Sequence, residues 1–376
     1  MKGRIKHSKL ISHSSMLKIK RYPETKNKSL QVFSAADLYL LDFVNKQGLT
    51  KGKMALINDR FAFLACHLAD SKPYSVIAFK SQEKALRMNF QNNAISLNEN
   101  LLLSPLDTFG EALDLVLIKI PKSLELFRLY LNQIHLASHE DTIVACGFMT
   151  KYFSRQMLII AEEYFEEVKQ SLAWKKSRLL ILKKPKPGKK IDLLRTFQWE
   201  GLKLQQYLGV FSTDKVDYAT QFLLEHIQLK QSEKTILDLA SGNGIIAASI
   251  LKKYNDRKWE PPTLHLMDDF YLAVESSKYN LTNNPCYFHY SDDLNIFEDL
   301  SFDLVVSNPP FHFEYEINTE VTMSLFEHVY RVLKHNGRFI LVFNRHLPYN
   351  RLLKRIFNHV YVVADSPKFI VIECRM

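Results

Sequence analysis

The segment from Ser307 to His312 carries a proline pair that could take part in chemistry. It reads Ser-Asn-Pro-Pro-Phe-His and follows directly on the apolar run from Asp303 to Val306. Two consecutive prolines donate no backbone hydrogen bond and cannot continue a sheet, so the loop is stiff and offers only acceptors. The side-chain oxygen of Asn308 and the carbonyl of Pro309 can therefore accept both N–H bonds of an exocyclic amine. Held in this way, the amine exposes its nitrogen lone pair to an electrophile.

Pro310 and Phe311 complete this predicted amine-binding loop. An aromatic ring beside the amine site can stack on an extruded nucleic-acid base, which is the role we assign to Phe311. His312 is a secondary candidate for a base, because a histidine in such a loop more often donates a hydrogen bond or stacks. An Asn-Pro-Pro turn is common by itself. Its position after one strand and downstream of a glycine-rich turn favours the chemical interpretation.

That glycine-rich turn lies between Ile236 and Ile246, where an apolar strand ends in small residues and leads into a helix. Gly242 and Gly244 allow a ligand to approach the backbone and a helix to pack tightly on the sheet. The spacing differs from that of dinucleotide sites, and the carboxylate of Asp238 precedes the glycines, where it would repel a phosphate. A cationic ligand is favoured instead. The alternative is a purely structural tight turn.

Acidic residues follow the next two predicted strands. Asp268 ends the first of them, and an acid at that place can accept both hydroxyls of a ribose. Asp269 is the alternative, and a pair of acids that caps the following helix is the non-functional interpretation. Asp292 follows a further strand and is the candidate acceptor for an adenine amino group.

Alternating strands and helices must position these loops. In the C-terminal half, the apolar spacing predicts strands over 235–239, 263–267, 302–306, 338–343 and 369–374, and helices over 216–226, 245–253, 271–280 and 320–333. Strands that alternate with helices imply a parallel, right-handed α/β sheet. The loops at the carboxyl ends of such strands share one edge of the sheet, so the candidate residues should meet there.

The N-terminal half shows the same alternation. Strands are predicted over 55–57, 74–79, 113–120 and 142–146, and helices over 83–93 and 123–135. The pattern breaks near Lys183, where Lys-Lys-Pro-Lys-Pro-Gly-Lys-Lys resists both helix and strand and favours water. We therefore predict a first domain over 1–184, a basic linker over 185–195 and a second domain over 196–376.

Composition points to a polyanionic partner. The 376 residues are 47% hydrophobic, which suffices for two cores, and carry a formal charge of +10. Residues 1–30 and 174–195 each hold nine lysines and arginines against one acid, so the rest of the chain is slightly acidic. Clustered cations favour contact with the phosphates of RNA or DNA, the alternative being solvated tails and linkers.

Cysteine usage and hydropathy exclude other classes. The four cysteines are far apart and lack metal-binding spacing, so neither a disulfide framework nor a metal site is predicted. No apolar run reaches the length of a membrane span, and no signal peptide is recognised, so we expect a cytoplasmic protein. The oligomeric state is left open.

The motifs DLASGNG (238–244) and NPPF (308–311) resemble those of the class I amino-methyltransferases. NPPFH (308–312), LKHNG (333–337) and NRHL (344–347) narrow the resemblance to the ribosomal RNA guanine-N2 methyltransferases. Val210-Phe211-Ser212 with Asp217 resembles the helix that precedes the donor site in that family. Four segments of the N-terminal half are similar to the large-subunit branch, which acts on 23S ribosomal RNA: AAD (35–37), LIND (56–59), LIKIPK (117–122) and LAWKK (172–176).

This resemblance covers nearly the whole chain beyond residue 16. It implies an α/β protein of two tandem Rossmann-like class I methyltransferase domains. The C-terminal domain binds S-adenosylmethionine, and the N-terminal one is degenerate and helps to hold RNA. The N-terminal turn from Asn58 to Phe63 lacks glycine, and Ile120-Pro121-Lys122 replaces NPPF, which agrees with a lost cofactor. One departure is that Ala240-Ser241 stands where the family usually has Gly-Cys.

The sequence thus predicts S-adenosylmethionine-dependent methylation of a guanine N2 in 23S ribosomal RNA, without a metal. Amine positioning is assigned to Asn308, Pro309, Pro310 and Phe311, and cofactor binding to Phe211, Asp217, Asp238, Ala240, Gly242, Gly244, Asp268, Asp292 and Asn308. The alternatives are a 16S ribosomal RNA guanine-N2, adenine-N6 or protein-glutamine methyltransferase, and a non-catalytic RNA-binding protein. The basic segments argue against a protein substrate.

Overall fold

The computed structural model describes residues 17–27, 29–188, 191–212, 215–281, 284–309 and 319–376. The chain divides into two compact units, Met1–Ile191 and Asp192–Met376. This division falls inside residues 185–195. The division of roles between a catalytic and an RNA-holding domain stays a prediction.

The N-terminal unit contains one seven-stranded sheet with the order β3-β2-β1-β4-β5-β7-β6. Its strands are β1 (Met54–Ile57), β2 (Tyr74–Val76), β3 (Leu102–Leu103), β4 (Leu113–Lys119), β5 (Ser138–Met149), β6 (Phe165–Gln170) and β7 (Ser177–Pro185). Its helices are α1 (Ala35–Gln47), α2 (Phe63–His67), α3 (Lys80–Asn92), α4 (Leu124–Leu136) and α5 (Arg155–Tyr164). The central residues of β4 are all buried, as expected for a parallel strand covered by helices on both faces.

The C-terminal unit has the same arrangement, with the order β12-β11-β10-β13-β14-β16-β15. Its elements are β8 (Leu194–Trp199), β9 (Leu202–Tyr207), α6 (Tyr218–His226), β10 (Thr235–Leu239), α7 (Ile245–Asp256), β11 (Thr263–Asp268), α8 (Tyr271–Leu281), β12 (Cys286–Tyr290), β13 (Phe302–Ser307), α9 (Thr319–Val332), β14 (Leu333–Asn344), α10 (Tyr349–Leu353), β15 (His359–Asp365) and β16 (Phe369–Arg375). β8 and β9 form a separate antiparallel hairpin.

Residues on alternate sides of the central strands fill two cores. Ile236, Leu304 and Val306 belong to one buried cluster, whereas Leu237 and Val305 belong to the other. A strand that is packed on both faces has little freedom to move, so the loops at its carboxyl end begin from fixed points.

The fold class predicted from the sequence is confirmed, but the purely parallel sheet is wrong. In each unit six strands run in the same direction, while the seventh, β7 or β16, runs antiparallel to both of its neighbours. The segment that begins at Lys183 was expected to form neither helix nor strand, but residues 183–185 belong to β7. The neighbouring strand β6 supplies backbone partners there, and Glu167 lies 2.6 Å from the ammonium group of Lys184.

The predicted strand over 74–79 is too long. It ends at Val76. Ile77 N still donates to Leu103 O of β3 at 2.7 Å, but the side chain of Gln82 bonds to the backbone on either side of Ile77. Gln82 Oε1 accepts from Ala78 N at 3.0 Å, and Gln82 Nε2 donates to Val76 O at 3.1 Å. α3 then begins at Lys80.

The outer strands of the two sheets differ in character. β6 carries charges, among them Glu166, Glu167 and Lys169. β15 is apolar and open to solvent, with Tyr361 and Val362 about half exposed, and its pairing with β16 shifts register between Val362 and Ala364.

Among the described residues, no helix is long and apolar enough to cross a membrane. The same residues contain no group of three or more histidine, cysteine and acidic side chains that could hold a metal ion.

Candidate active site

The glycine-rich turn between β10 and α7 contains three left-handed residues. Ala240, Gly242 and Gly244 have φ angles of 59°, 55° and 80°. A Cβ on Gly244 would lie 3.0 Å from Leu281 Cδ1 and 3.1 Å from Ser277 Cβ, so this glycine permits close packing of α7 on α8. A Cβ on Gly242 would meet no atom within 4 Å among the described residues. The backbone at Gly242 therefore faces open space in which a ligand can approach.

Asp238 is fully buried in β10, just before this turn. Its Oδ2 accepts from Ala247 N at 3.1 Å, and its Oδ1 has no hydrogen-bond partner among the described residues. Burial raises the pKa of Asp238 to about 7, and the nearby charge of Asp268 also raises it. A carboxylate in this state is stabilised by a cation, as the sequence analysis expected for the ligand of this turn.

Asp268, the last residue of β11, is joined directly to the turn. Its Oδ2 accepts from Gly242 N at 2.9 Å and its Oδ1 from Phe270 N at 2.8 Å. Burial raises the pKa of Asp268 above its usual value, against the opposing effect of these hydrogen bonds. Asp292 is half-buried and follows β12, the next strand. The structure thus places three acids at the same edge of three neighbouring strands.

We expect Asp268→Ala to weaken binding of S-adenosylmethionine by roughly 5- to 150-fold, the equivalent of about 1 to 3 kcal/mol for a hydroxyl left without its acceptor. Titration calorimetry of the purified protein measures this directly. Asp269→Ala is the matched control and should bind the cofactor almost normally. The reverse pattern would assign the ribose to Asp269.

Asn308, directly after β13, is held by its amide nitrogen. Nδ2 donates to Thr220 Oγ1 at 2.8 Å and to Asp217 Oδ2 at 3.2 Å. Because a carboxylate only accepts, this contact fixes which end of the amide is the NH₂ group. Asn308 Oδ1 is buried and has no hydrogen-bond partner in the described parts of the chain. An oriented acceptor is therefore available for an incoming N–H group.

Asp217 has a double role in this arrangement. Its Oδ2 also accepts from Ala219 N at 3.0 Å and Thr220 N at 3.3 Å, which caps α6. The sequence analysis assigned Asp217 to the cofactor, whereas its contacts here are with α6 and Asn308. Pro309 is buried next to Asn308. Pro310, Phe311 and His312 lie outside the described residues.

Phe211 is 72% exposed and lies in the loop after β9. This loop is connected to the glycine turn by Gln206, a residue that the sequence analysis did not identify. Gln206, fully buried in β9, donates from Nε2 to Ser212 O at 3.2 Å. Its Oε1 accepts from Asn243 Nδ2 at 2.6 Å. A glutamine inside an otherwise alternating strand was the available signal, because a buried polar side chain requires partners.

Asn280 on α8 is a second missed residue. Its Nδ2 donates to Asn243 O at 2.8 Å and to Gln205 O at 2.9 Å, and its Oδ1 accepts from Gln205 N at 2.8 Å. These bonds join the glycine turn, α8 and β9. Asn280 thus holds the turn in place without facing the open space at Gly242.

The N-terminal unit repeats this framework. Asn89 on α3 donates from Nδ2 to Phe61 O at 3.0 Å and to Lys20 O at 2.8 Å, and its Oδ1 accepts from Lys20 N at 2.8 Å. The turn after β1 also has left-handed residues at the corresponding places, Asn58 with φ 61° and Ala62 with φ 55°. The two units therefore share the same turn and the same asparagine support.

The N-terminal turn differs where a ligand would be bound. Arg60 and Phe61 stand in the places of Gly242 and Asn243, and the guanidinium groups of Arg21 and Arg60 lie 4.6 and 4.8 Å from the Phe61 ring centre. Asp59 is buried and accepts from Ala65 N at 2.8 Å. Arg60 therefore places a side chain where the C-terminal turn has only the hydrogen of Gly242.

Lys119 occupies the place of Asn308 in the N-terminal sheet. Strand register pairs Ile57 with Ile118 and Leu239 with Ser307, so the next residues correspond. The ammonium group of Lys119 lies 3.1 Å from Asp37 Oδ2. An ammonium group has only donors and cannot accept the N–H of an amine.

Comparison with known proteins identifies both units. Residues 7–187 match the RLMG N-terminal domain, and residues 201–373 match the methyltransferase small domain. The chain is similar in structure to the T. thermophilus 16S rRNA N2 G1207 methyltransferase RsmC in complex with AdoMet and guanosine, with 20% identity, 86% of this chain and 88% of that chain covered, and a TM-score of 0.72. A SAM-dependent methyltransferase from Agrobacterium tumefaciens matches with 10% identity over 51% of this chain and 74% of that chain, with a TM-score of 0.37.

The fold of the C-terminal unit and its glycine turn define a class I methyltransferase that uses S-adenosylmethionine. The chain thus combines an RLMG N-terminal domain with a methyltransferase small domain, and its fold is similar to that of the ribosomal RNA guanine-N2 methyltransferase RsmC. The open backbone at Gly242 and the unpartnered oxygen of Asp238 fit such a cationic cofactor.

Proposed function

We propose that this protein transfers a methyl group from S-adenosylmethionine to the N2 amine of a guanine in 23S ribosomal RNA. The observation that carries the proposal is the buried, unpartnered Oδ1 of Asn308, whose orientation is fixed by Asp217 and Thr220. Such an acceptor is suited to an exocyclic amine. The T. thermophilus relative was solved with both AdoMet and guanosine, which supports a guanine substrate at a comparable site.

The proposed mechanism rests on alignment. Asn308 Oδ1 and the Pro309 carbonyl accept the two N–H bonds of the amine, which directs its lone pair at the activated methyl group that the bound cofactor supplies. Gly242 admits the cofactor, Asp238 offers a carboxylate to its positive charge and Asp268 to its ribose. We also propose that Pro310 keeps the loop rigid and that Phe311 stacks on the base. The proton leaves the amine after transfer, so no strong base is required.

The choice of 23S over 16S ribosomal RNA rests on the N-terminal half. Its match to the RLMG N-terminal domain and its similarity to the large-subunit branch favour 23S RNA, whereas the relative of known structure acts on 16S RNA. Purified 16S and 23S RNA from cells lacking the gene should be incubated with the protein and labelled cofactor, followed by nucleoside analysis. N2-methylguanosine in 23S RNA is expected. N2-methylguanosine in 16S RNA, or N6-methyladenosine, would replace this assignment.

One observation favours a second candidate, a non-catalytic RNA-binding protein. Ala240 adopts a left-handed conformation that favours glycine, and the N-terminal turn, which lacks glycine, likewise has a non-glycine residue, Asn58, at that place. Binding of labelled S-adenosylmethionine to the full-length protein separates the two candidates. Tight binding with methyl transfer supports the enzyme, and its absence supports the binding protein.

We expect the basic segment at the end of the N-terminal unit to contribute RNA affinity. Replacing Lys183, Lys184, Lys186, Lys189 and Lys190 by glutamine should weaken RNA binding and reduce the slope of log affinity against log salt by about 0.7 to 0.9 for each lost phosphate contact. Lys189 and Lys190 lie outside the described residues. A salt series with ribosomal RNA measures the slope, and cofactor affinity should not change.

The structure supplies a matched pair of single variants for this test. Lys183 is exposed, whereas Lys184 pairs with Glu167 at 2.6 Å, and this hydrogen bond raises the pKa of Lys184. Lys183→Gln should therefore change the slope more than Lys184→Gln. Equal slopes for wild type and the five-fold variant would show that the segment is only solvated.

A further inference from the structure

A pocket of about 390 Å³ lies between α6 and the turn that joins β15 to β16. Its walls include Tyr218 and Phe222 from the helix and Lys368 and Phe369 from the turn. The turn is well fixed, because Ser366 Oγ accepts from Phe369 N at 2.8 Å and Ser366 N donates to Phe369 O at 2.9 Å.

The walls combine aromatic rings with positive charge. Tyr218 is 54% exposed, and the rings of Phe222 and Phe369 lie 6.5 Å apart behind it. Lys215 Nζ lies 3.1 Å from Tyr218 Oη and 4.5 Å from the ring centre, and Lys368 Nζ lies 5.9 Å from the same ring centre. An exposed ring flanked by cations is the combination that proteins use to bind single-stranded nucleic acid.

One acid, Glu225, also lines the pocket. It lies seven residues beyond Tyr218 on α6, which corresponds to about 10 Å along the helix. The negative charge is therefore at the far end of the pocket from the two lysines. A phosphate can meet Lys215 and Lys368 without approaching Glu225.

The pocket begins one residue from the proposed amine site. Asp217, which precedes Tyr218, is the residue whose Oδ2 accepts from Asn308 Nδ2 at 3.2 Å. A nucleotide at Tyr218 would therefore neighbour the nucleotide whose amine reaches Asn308.

We propose that this pocket binds an unpaired RNA nucleotide next to the target guanine, with its base stacked on Tyr218 and its phosphate facing Lys215 and Lys368. This inference rests on the proposed RNA substrate. Tyr218 would thereby select a single-stranded neighbour for the modified base.

The test measures binding of a short single-stranded RNA of mixed sequence to the full-length protein, and the KM and kcat for ribosomal RNA. Tyr218→Ala should weaken binding and raise KM by about 5- to 150-fold, the range of one lost base–aromatic stack. Tyr218→Phe keeps the ring and should remain close to wild type. Lys368→Met should reduce the salt slope by about 0.7, as for one phosphate contact to a single strand.

The matched control is Tyr361→Ala. Tyr361 is 49% exposed and has the Arg375 guanidinium 5.5 Å from its ring centre, but it lies towards the other end of the β15–β16 hairpin. This variant should bind RNA normally, and all variants should retain cofactor affinity. Equal RNA binding by Tyr218→Ala and Tyr361→Ala, or equal loss in Tyr218→Ala and Tyr218→Phe, would overturn the proposal.

The two hypotheses fail in different ways. If Tyr218→Ala methylates ribosomal RNA at the wild-type rate, the proposal that the pocket binds a nucleotide is wrong and the proposed function stands. If RNA binding depends on Tyr218 but no ribosomal RNA is methylated, the nucleotide-binding proposal stands and the proposed function is wrong.

Discussion

Asn308→Ala should lower the rate of methyl transfer by about 10²-fold or more, while affinity for S-adenosylmethionine stays within a few-fold of wild type. The reason is geometric, because the substitution removes the oriented side-chain acceptor next to β13 that has no partner among the described residues. Single-turnover transfer to ribosomal RNA and calorimetric titration of the cofactor measure the two quantities separately. A near-normal rate would mean that the amine is bound elsewhere.

Thr220→Val is the graded control for this prediction. It removes the 2.8 Å hydrogen bond that holds the Asn308 amide but leaves the bond to Asp217. One net hydrogen bond corresponds to about 0.5 to 1.5 kcal/mol, so the rate should fall by roughly 2- to 13-fold. If Thr220→Val were as inactive as Asn308→Ala, Thr220 would have a role beyond orienting the amide.

Arg338→Ala should lower the free energy of unfolding by about 3 to 5 kcal/mol. Arg338 is 3% exposed in the middle of β14 and lies 2.6 Å from Glu233 and 2.7 Å from Glu373, and it also donates to Gln228 O. Burial would raise the pKa of Glu373, but hydrogen bonds from Arg375 and Arg338 lower it below its usual value. Removal of the arginine takes away the cation that pairs with Glu233 and one of the two that pair with Glu373. Denaturant unfolding of the full-length protein measures the loss.

Arg345→Ala is the matched control in the same unit. Arg345 also pairs with an acid, Asp365, but both side chains are about half exposed, so the pair should contribute no more than about 1 kcal/mol. Equal unfolding free energies for the two variants would contradict the structural role of Arg338. Below its unfolding transition, Arg338→Ala should still bind the cofactor, because its partners Glu233, Glu373 and Gln228 are not residues proposed to bind the cofactor.

Much of the fold could be predicted from local patterns. The β10, β11 and β13 segments are short apolar runs, and a run of this kind between helices indicates a parallel strand. The antiparallel strands β7 and β16 could not be inferred in the same way, because their direction depends on which distant strand accepts them. The lysines at 183 and 184 were misread because only tertiary structure places Glu167 beside them.

Part of the candidate site could also be predicted from local sequence patterns. Gly242 and Asn308 could be identified from the sequence because the backbone freedom of glycine and the rigidity of the prolines after Asn308 are local properties. Gln206 and Asn280 carry no such mark, since their roles depend on hydrogen bonds to residues far along the chain. The contact of Asp217 with Asn308 likewise joins residues 91 positions apart, so spacing alone could not predict it.

The outer strands of the two sheets have a consequence for handling the protein. An open strand edge can pair with a strand of another molecule, and the charges on β6 oppose such pairing in the N-terminal unit. β15 lacks that protection along Tyr361 and Val362, and the register shift before Ala364 is the feature that interrupts a regular edge there. We therefore expect aggregation of concentrated or partly unfolded protein to start at β15. A lysine in place of Val362 should improve solubility without touching the residues proposed for catalysis.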